Sequence, residues 1–587
     1  MTNQTPPPFD GREPEVIELP DLSQDIEPAH TYDEEGYLWK SYEPPYVSAP
    51  LYRMTDKETE VTVSAITPGN NSRFASIKAW VAGRHSREEG DVLKIMRKIV
   101  LEGVNAAAKL ERFVKQGHNS LADIAEIQLD IDNIPMSLAL KLFHMTQVHA
   151  GQEKSTRYQL GFREKPMSPL SQWLKREELR DGFDAIEAQY DLLSGKALEM
   201  FERNNPRIAE AMRAFYQPQT EGEENSGNLR ALDCARYFFL MGQRTGMSLK
   251  LSARHWSQVI GELKGSEQEA DRRLGMQIQR MLAPDEVVER ELHYTAEAPT
   301  LVRHIKENRL FRENLDAVMA LLEAETDLLD AVRIHRGLPE RQDLNVRYIG
   351  GEFTPGQKML CQYIMTKYPG MDETELLKWI QEQDAQILKR VSKLLFRGHS
   401  DYIDMPQQSV TTGMTLVMEG STGTMRDWNR HRALGRYIPV PYMYCDTMTY
   451  DQVRQVIGKG FVLPLHLTGI EEFSEVRDQF EADMQEYYDQ LVQFLDAVHD
   501  QYGEAIDYTF VIHLLPLGHK MPIYMHGDIK KHHYMTWTRH KTGGQVDYRW
   551  QAATGSRLIA ESDPILQGIE LEAFPDLRDP VEFFGRK

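Results

Sequence analysis

Two short segments of the sequence hold charged and hydroxyl side chains at spacings that suit the binding of an anion. In the first, QEKSTRY, Glu153, Ser155 and Arg157 occupy alternate positions, so in an extended segment they point to one side. A hydroxyl and a guanidinium two residues apart form a compact anion site, because arginine offers a planar fork of donors to phosphate oxygens. Taken alone, the same pattern is more typical of a solvated loop.

The second segment, WNRHR, contains the dense basic cluster Arg430, His431 and Arg432. Concentrated cations in an acidic chain need an anionic partner, either nearby carboxylates or a phosphorylated ligand. Taken alone, ion pairs at the surface are the commoner of the two. Like charge on both sides of His431 lowers its pKa, so we expect this histidine to position a ligand rather than to act as a base.

Other reactive residue types show no pattern of a site. The cysteines Cys234, Cys361 and Cys445 are far apart, which excludes a disulfide scaffold and a CxxC motif. Cys234 falls in a run that is predicted to be a buried strand. The C-terminal part is rich in histidine, but it has no HxH or HExxH spacing, and we expect no metal site.

Composition narrows the class of protein. The 587 residues are 41% hydrophobic and 27% charged, which is typical of a globular chain of several domains. Asp and Glu (89) outnumber Lys and Arg (68), and the net charge of −21 repels nucleic-acid backbones. The first residues lack an apolar signal segment, and no apolar run reaches the ~20 residues of a membrane helix. We expect a cytoplasmic protein that binds neither nucleic acid nor membrane.

Apolar periodicity predicts the elements that must position these residues. Long helical patterns outnumber the strand-like runs, so the predicted fold class is α+β. The polar run 219–228 is predicted to be a surface loop, and residues 1–50, which include three consecutive prolines, an extended arm. The predicted helices lie at about 90–117, 183–215, 255–283, 305–333, 374–397 and 472–500, and the predicted strands at 124–131, 414–420 and 508–517.

An internal repeat divides the chain. KLERFVKQGHNSLADIAE (109–126) is similar to KRVSKLLFRGHSDYIDMP (389–406), and 231–263 is similar to 506–539. Both pairs keep their order at a separation of about 280 residues, which indicates two diverged copies of one domain. Each copy is predicted to be a small mixed β-sheet with long helices. The predicted units are an arm at 1–50, copy 1 at 51–290, a helical linker at 291–340 and copy 2 at 341–587.

Both copies resemble the flavin-dependent thymidylate synthases. That family has an Arg-His-Arg followed at a fixed distance by Ser-x-Arg, with a Gly-His element upstream, and an A-R-x-x-L-P strand and a final Arg and Gln downstream. Copy 1 is similar to it through GHNSLAD, QEKSTRY, CARYFFLMGQRTG and LSARHWSQ, and copy 2 through GHSDYID, WNRHR, LLPLGHK and TRHKTGGQ. The similarity covers most of 109–290 and 389–560.

The two copies depart from the family pattern at complementary positions. Copy 1 keeps Arg157 but has Met145–Gln147 in the place of Arg-His-Arg. Copy 2 keeps Arg-His-Arg but has Tyr442 twelve residues after Arg430. The other positions follow the same rule. Arg236 in copy 1 matches Ile512 in copy 2, and the family's Glu and Ser read Ile438 and Val440 in copy 2. Arg539 of copy 2 matches Leu263 or the neighbouring Lys264 in copy 1, and Gln545 matches Glu269.

Because sites in this family form between subunits, the resemblance implies one composite site between the two copies. Arg430 and Arg539 are implied as catalytic, since a cation near the pyrimidine stabilises the charge that develops on it. The implied dUMP-binding residues are Glu153, Ser155, Arg157, Arg236, Arg430 and Arg539. The implied FAD-binding residues are His118, Ser120, Asp123, Ser252, Arg254, His399, Arg430, His431 and Arg432, with Asp401 and Asp404 beside His399.

The activity that the resemblance implies is the reductive methylation of dUMP to dTMP. Reduced FAD supplies the hydride and carries the one-carbon unit of methylenetetrahydrofolate, with NADPH as reductant, so no protein nucleophile is needed. The family is tetrameric, and a fused pair is expected to form a homodimer that is a pseudo-tetramer. Two alternatives stay open: a dUMP C5-modifying enzyme with another product, such as hydroxymethyl-dUMP, and a decayed paralogue that binds nucleotide or scaffolds a complex.

Overall fold

The computed structural model of the chain describes most residues from 29 onwards. Helices and strands are mixed along the described part, so the predicted α+β class is confirmed. The described residues are 29–33, 38–42, 51–66, 74–85, 95, 110, 121–145, 150–156, 167–174, 181–292, 294, 296–303, 305–309, 338–367, 372–396, 409, 412–444 and 446–584.

The strands form three sheets. They are β1 (Ala29–Tyr32), β2 (Leu38–Tyr42), β3 (Leu51–Thr55), β4 (Thr62–Ile66), β5 (Glu126–Pro135), β6 (Ala150–Glu153), β7 (Arg244–Ser252), β8 (Arg341–Gln342), β9 (Asn345–Ile349), β10 (Met414–Ser421), β11 (Gly435–Tyr437), β12 (Phe461–Val462) and β13 (Lys520–Gly527). A seven-stranded antiparallel sheet has the order β1-β2-β3-β4-β5-β7-β6, and a four-stranded one the order β11-β13-β10-β9. β8 and β12 make a short parallel pair.

The helices pack around these sheets and against each other. They are α1 (Phe74–His85), α2 (Leu121–Ile124), α3 (Met136–Met145), α4 (Phe183–Tyr216), α5 (Glu221–Ala235), α6 (Ala253–Lys264), α7 (Glu269–Leu282), α8 (Glu286–Leu292), α9 (Pro355–Lys367), α10 (Glu373–Gln381), α11 (Ala385–Leu395), α12 (Thr422–Asn429), α13 (Tyr450–Ile457), α14 (Leu465–Thr468), α15 (Ser474–Tyr502), α16 (Ile529–His540), α17 (Val546–Ser562) and α18 (Pro580–Phe584).

β5 shows how the sequence sets the two faces of the larger sheet. Ile127, Leu129 and Ile131 are at most 4% exposed, and polar residues alternate with them, as the two-residue period of a strand requires. The apolar face covers one hydrophobic core, and the polar face looks outward. The neighbours β4 and β7 continue the same division on either side.

The same succession of elements occurs twice in the described residues. The strands β4-β5-β7-β6 and the strands β9-β10-β13-β11 have matching neighbours in matching order. In each set the second strand of that order runs into a helix (α3 or α12), and a short strand and a long helix (α4 or α15) follow. A 3-10 turn, the third strand and two further helices (α6 and α7, or α16 and α17) complete each set.

Backbone hydrogen bonds join the two 3-10 turns reciprocally. The N–H of Met241 donates to the carbonyl of Leu515 (3.0 Å), and the N–H of Leu517 donates to the carbonyl of Phe239 (2.7 Å). Met241 and Leu517 lie 276 residues apart (517 − 241), and so do Phe239 and Leu515 (515 − 239). Each bond is therefore the counterpart of the other.

An antiparallel bridge between Leu240 and Pro516 lies at the centre of this contact. These two residues are also 276 positions apart (516 − 240). The contact thus has the reciprocal form of an isologous interface, in which residue i meets j and j meets i. Both of its sides belong to one chain.

Long helices complete the contact between the two halves of the chain, that is, between the two matching sets of elements described above. α4 and α15 pack in the larger hydrophobic core, where Phe201 and Tyr487 are fully buried. The buried carboxylate of Asp483 in α15 accepts a hydrogen bond from the Asn204 amide (2.6 Å) and pairs with Arg203. Burial of a charge is tolerated here because both of its carboxylate oxygens are engaged.

The strand predicted at 508–517 is wrong. Tyr508–Leu514 is a 3-10 helix, and the carboxylate of Asp507 accepts a hydrogen bond from the Thr509 N–H at its start (3.0 Å). Its apolar, β-branched residues are buried in the core between the halves, not in a sheet. The strand predicted at 414–420 is confirmed as β10, and that at 124–131 overlaps β5.

The surface loop predicted at 219–228 is also wrong, because α5 begins at Glu221. The Thr220 hydroxyl accepts a hydrogen bond from the Glu223 N–H (3.2 Å), and acidic residues in the first turn suit the positive end of the helix dipole. Cys234 lies near the end of the same helix and not in a strand. Burial raises the pKa of its thiol.

The remaining predictions of helices and of the N-terminal arm have different outcomes. The helices at 183–215 and 472–500 are confirmed as α4 and α15, whereas 255–283 and 374–397 are each two helices. α6 ends just before Gly265, where a Cβ would lie 2.4 Å from the carbonyl oxygen of Asn308. Most of 90–117 and 305–333 lies outside the described residues. Part of the predicted arm, 29–42, pairs as β1 and β2.

Candidate functional site

Glu153 is the buried acidic centre of the candidate site. It ends β6, its side chain is 1% exposed, and it pairs with Arg426 and with Arg430 (3.2 Å). Arg426 lies in α12 and Arg430 directly after that helix. A buried carboxylate is stable only when it is paired and hydrogen-bonded, so these two arginines hold β6 against α12.

The hydrogen bonds of Arg236 make a second link between the halves. This buried guanidinium donates to the Thr156 hydroxyl (2.9 Å) and to the side-chain oxygen of Gln545 (3.0 Å). Asp233 lies 3.5 Å from it. Thr156 follows Glu153 by three residues, and Gln545 directly precedes α17. The loop after β6 is therefore bound to both Arg236 and, through Glu153, Arg430.

Tyr237 and Asp547 continue this network into the core. The Tyr237 hydroxyl donates to the Asp547 carboxylate and also receives a hydrogen bond from the Gln545 amide (3.3 Å). Burial raises the pKa of Asp547 to about 6 and that of Tyr237 well above its usual range. Tyr237 thus holds the side chain of Gln545 by a hydrogen bond. The Leu465 N–H is a further donor to Asp547 (2.9 Å).

His431 and Arg539 form a direct contact on the basic side of the site. The Arg539 Nε–H donates to His431 Nε2 (2.7 Å), and its Nη2 donates to the carbonyl of Asp427 (2.7 Å). Burial, and then the charge of Arg539, lowers the pKa of His431 to about 3. A guanidinium can only donate, so His431 is neutral, accepts at Nε2 and carries its proton on Nδ1.

Positive charge is concentrated beside His431. Burial and the charge of Arg430 lower the pKa of Arg432, and burial and the charge of Arg432 lower that of Arg436 to about 10. Burial opposes the charge of Arg430 as well, but Asp427 and Glu153 keep its pKa above the ordinary value. Such an arrangement favours an anionic ligand, since added negative charge relieves the repulsion between the arginines.

Comparison with known proteins identifies the first half of the chain. Residues 66–282 match the family model Thy1, described as thymidylate synthase complementing protein. This segment is similar to that family. Among curated proteins, none matches the chain. A crystal structure of a UMP/dUMP methylase, PolB from Streptomyces cacaoi bound with 5-Br UMP, is 12% identical over 40% of this chain and 99% of that one. Its TM-score of 0.27 is too low to infer a shared fold.

The Thy1 segment supplies Glu153, Ser155 and Arg236 to the site, and the second half of the chain supplies Arg430 and the residues around it. Ser155 lies next to Thr156 and lines a cleft on the outer face of the larger sheet. The contacts of Glu153 with Arg430 and of Arg236 with Gln545 thus join the two predicted groups of site residues. The ligand roles of these residues stay predictions. Arg157, His118, Ser120, His399, Asp401 and Asp404 lie outside the described residues.

Three other residues predicted to bind FAD lie near the start of α6. Ser252 is fully buried and caps α6, accepting a hydrogen bond from the His255 N–H (3.3 Å). Arg254 pairs with Asp123 (2.8 Å), with both side chains over a third exposed. Their contacts are those of a helix cap and of a surface ion pair, and a role in binding FAD stays a prediction.

Matching backbone hydrogen bonds in the two halves identify which residue corresponds to Arg430, a position that the sequence comparison assigned to Met145. The Met136 N–H donates to the Gln243 carbonyl (3.0 Å) as the Thr422 N–H donates to the His519 carbonyl (2.8 Å). Counted along the two helices from these donors, the counterpart of Arg430 is His144, one residue before Met145. The count back from Arg157 gave the wrong residue because the loop between that helix and Arg157 need not have equal length in both halves.

Sequence reasoning missed Arg426, Thr156 and the pair Tyr237–Asp547. Arg426 lies two residues before the WNRHR segment and belongs to no motif, so only its burial against Glu153 reveals it. Thr156 lies inside QEKSTRY, and the alternation argument passed over it because it points to the other side of an extended segment. Asp547 and Tyr237 are 310 residues apart, a separation that no local pattern spans.

No group of three or more His, Cys, Asp or Glu side chains in the described ranges could hold a metal ion. No helix in that part of the chain combines the length and apolar character needed to cross a membrane.

Proposed function

We propose that the chain is an enzyme that methylates dUMP at C5 to give dTMP, using methylenetetrahydrofolate and reduced FAD, with NADPH as reductant. The match of residues 66–282 to the Thy1 family model supports this chemistry. The observation that carries the proposal is the ion pair of Glu153 with Arg430. It joins the QEKSTRY segment of one half to the WNRHR segment of the other, which are the two parts that a single site needs.

The halves are proposed to be diverged copies of one domain related by a local twofold axis. The matching strand orders of the two sheets support this. So does the reciprocal contact around Leu240 and Pro516, in which counterparts lie 276 residues apart (516 − 240). Duplication explains why one chain reproduces the kind of contact that identical subunits make.

In the proposed site, Ser155, Arg157 and Arg236 bind the phosphate of dUMP. The phosphate carries nearly two negative charges, and charge-assisted donors balance it without a basic surface. Arg236 is already oriented by Thr156 and Gln545, so little side-chain freedom is lost on binding. Arg430 and Arg539 face the pyrimidine and stabilise the negative charge that develops on its oxygens.

The residues present fit a flavin dinucleotide at the basic side of the site. Burial and the charge of a neighbouring arginine lower the pKa of Arg432, and that of Arg436 to about 10. A pyrophosphate bound there reduces the repulsion within this basic cluster. Arg430, His431 and Arg432 would hold FAD, with His431 oriented by Arg539. When bound and reduced, FAD supplies the hydride for the reaction.

The counterpart position on the other side of the axis is filled by side chains. Tyr442 is fully buried there, with Lys141 over its ring (4.7 Å) and His513 at its edge (5.9 Å between ring centroids). Lys141 pairs with Asp271, and both side chains are at most 1% exposed. Trp173 stacks on His513 (3.8 Å). We propose on these grounds one ligand site for each chain.

The proposed assembly is a homodimer, that is, four domains with closed symmetry. Light scattering should give about twice the 67.8 kDa mass of the chain. A monomer at micromolar concentration contradicts this assembly but leaves the proposed reaction intact, since the composite site lies within one chain.

The proposed function is tested by incubating the purified chain with FAD, NADPH, methylenetetrahydrofolate and dUMP. We expect a yellow protein with a flavin spectrum, and dTMP detected by mass spectrometry. Glu153→Gln should abolish turnover, because it removes the charge that pairs with Arg426 and Arg430; Glu486→Gln, at an exposed ion pair with Lys196 (2.5 Å), is the matched control. A colourless protein that does not bind dUMP would overturn the proposal.

A further inference from the structure

Hydrogen bonds connect Asp547, which is buried in the core, to Arg236 through two other side chains. The Tyr237 hydroxyl donates to the Asp547 carboxylate, and the Gln545 amide NH2 donates to the Tyr237 oxygen (3.3 Å). The carbonyl oxygen of the same amide accepts from the Arg236 guanidinium (3.0 Å). Every donor thus points towards Asp547. We call these four residues the polar relay.

Both oxygens of Asp547 act as acceptors. One of them receives the Tyr237 hydroxyl, and the other receives the Leu465 N–H (2.9 Å). A backbone N–H can only donate, so the oxygen that faces Leu465 must always accept. An ionised carboxylate offers a second acceptor to Tyr237, whereas an amide or a protonated carboxyl would offer it a donor.

A donor at position 547 would reverse the polar relay. Tyr237 would then accept from residue 547, and its hydroxyl hydrogen would turn to Gln545. The Gln545 amide would present its carbonyl oxygen to Tyr237 and its NH2 group to Arg236. Because a guanidinium can only donate, Arg236 would face another donor and lose a buried hydrogen bond, which is costly.

The polar relay is enclosed by protein. All four of its side chains are buried, and the most exposed of them, Arg236, is 6% exposed. The hydroxyl of Ser421 also lies near Tyr237, but it is engaged as the cap of α12. There it accepts from the Thr424 N–H (3.1 Å) and donates to the Thr424 hydroxyl (3.3 Å). Bulk water therefore has no access from which to compensate a reversal.

Arg236 connects the polar relay to the proposed ligand site. Its guanidinium also donates to the Thr156 hydroxyl (2.9 Å), in the loop that carries Ser155. In the proposed function, Arg236 and Ser155 bind the phosphate of dUMP. A rotation of Arg236 away from Gln545 would therefore disturb both the loop and a phosphate ligand.

We propose that Asp547 is a positioning residue for the phosphate of dUMP. Its negative charge sets the direction of the polar relay, Tyr237 transmits that direction, and Gln545 consequently presents an acceptor to Arg236. The inference rests on the proposed function and adds to it a condition: the site binds dUMP tightly only while Asp547 is ionised.

Mild acid is sufficient to protonate Asp547, because burial raises its pKa to about 6. Cys234 and His466, which lie close by, keep one protonation state between pH 5 and 8. Burial raises the pKa of the Cys234 thiol and lowers that of the His466 imidazole to about 3. The charged groups that act on Asp547 or His466 are Asp233, Arg236, Arg230 and Arg549.

The first test is calorimetric titration of the full chain with dUMP at pH 8. Asp547→Asn should weaken binding by roughly tenfold, the effect of one unsatisfied buried donor. Adding Tyr237→Phe to this variant should restore part of the affinity, because without the hydroxyl the reversal no longer reaches Gln545. Simple loss of a hydrogen bond predicts no such recovery, so its absence overturns the inference.

Asp496→Asn is the matched control. Asp496 of α15 accepts from the hydroxyl of Tyr450 (2.8 Å), so a tyrosine–aspartate hydrogen bond is altered in the same way at another place. This variant should bind dUMP as tightly as the parent. An equal loss of affinity in Asp496→Asn and Asp547→Asn would show a general effect on stability and overturn the inference.

Acidification of the parent should have the same effect as Asp547→Asn. The ratio of the dUMP affinities of parent and variant should be largest at pH 8 and approach one at pH 5. The titration of the phosphate cancels in this ratio, and a constant ratio contradicts the proposed role. If Asp547→Asn does not fold, Tyr237→Phe replaces it: the parent should bind dUMP more tightly than this variant at pH 8 but not at pH 5.

Urea unfolding without ligand separates this inference from the proposed function. Tyr237→Phe should lower the stability of the parent but raise that of Asp547→Asn. If the parent does not bind dUMP, the proposed function is overturned, and this change of sign alone decides whether Asp547 sets the direction of the polar relay. If the parent and Asp547→Asn bind dUMP equally tightly, the inference is overturned and the proposed function stands.

Discussion

Arg236 donates a hydrogen bond to Gln545, which lies 309 residues later in the chain (3.0 Å). The same guanidinium donates to Thr156 in the loop after β6. One arginine thus fixes both the loop that carries Ser155 and the turn that begins α17. Its removal should change the ligand site without removing any segment of the backbone.

Arg236→Ala should therefore weaken dUMP binding strongly. Loss of one partner from a buried, charged network typically costs about 2–5 kcal/mol, which we expect calorimetry to register as a loss of affinity of more than thirtyfold. Arg290→Ala is the control, since Arg290 is exposed and pairs with its neighbour Glu291. Equal dUMP affinity in the two variants contradicts the proposed role of Arg236.

Arg430→Ala combined with Arg432→Ala should give a folded but colourless protein. The two substitutions remove the charges that flank His431, and with them the electrostatic reason for FAD to bind. The measurement is the flavin absorbance of the purified protein per chain. Arg477→Ala with Arg578→Ala, at two arginines that pair with the acidic residues Asp478 and Glu472, should leave the colour unchanged. Full retention of FAD in the first variant rules out this assignment.

Binding stoichiometry should be one dUMP and one FAD for each chain. The counterpart position is closed by Tyr442 and by the buried pair of Lys141 and Asp271. Equilibrium dialysis measures the number of sites directly. Installing Ser and Arg at Val440 and Tyr442 should not rescue an Arg157→Ala chain, because the corresponding segment of copy 1, Met145–Gln147, holds no Arg-His-Arg. Two dUMP per chain, or rescue, shows that each half builds its own site.

The stability of the chain should fall as the pH is lowered from 7 to 5, in part through His513. Burial, and then the charge of Lys141, lowers the pKa of His513 to about 3. The unfolded chain takes up a proton near pH 6.5 that the folded chain refuses, so His513 contributes stability above that pH and loses it below, by roughly 1 kcal/mol between pH 6 and 5.

His513→Gln removes this titration and keeps a polar partner for Ser137 (2.8 Å). Urea unfolding at pH 7, 6 and 5 should show a smaller loss of stability on acidification in the variant than in the parent. Trp173→Phe, which alters the ring stacked on His513 but not its proton, should leave the parent slope unchanged. Identical slopes for His513→Gln and the parent refute the contribution.

Local patterns predicted the elements with strong periodicity. The long helices α4 and α15 and the strand β10 agree with their predictions to within two residues. The failures have physical causes. The run 508–517 has the composition of a buried strand, but its place between the halves makes it a 3-10 helix. The polarity of the run 219–228 favours a surface loop, but Thr220 and Glu223 form the start signal of a helix.

The candidate site was predictable only in its motif residues. Arg430, His431 and Arg539 stand in recognisable segments, and the structure brings Arg539 into contact with His431. Arg426 and Asp547 depend on pairings across 273 and 310 residues, which require the packed halves.

The two sides of the bridge between Leu240 and Pro516 can change independently, which the two sides of a contact between identical subunits cannot do. In a dimer of one gene product, any substitution at a twofold contact occurs on both sides at once. Here both sides are encoded separately, so one side holds a leucine with an amide hydrogen and the other a proline without one. Each side can accumulate its own changes, and a substitution that closes one position need not close the other.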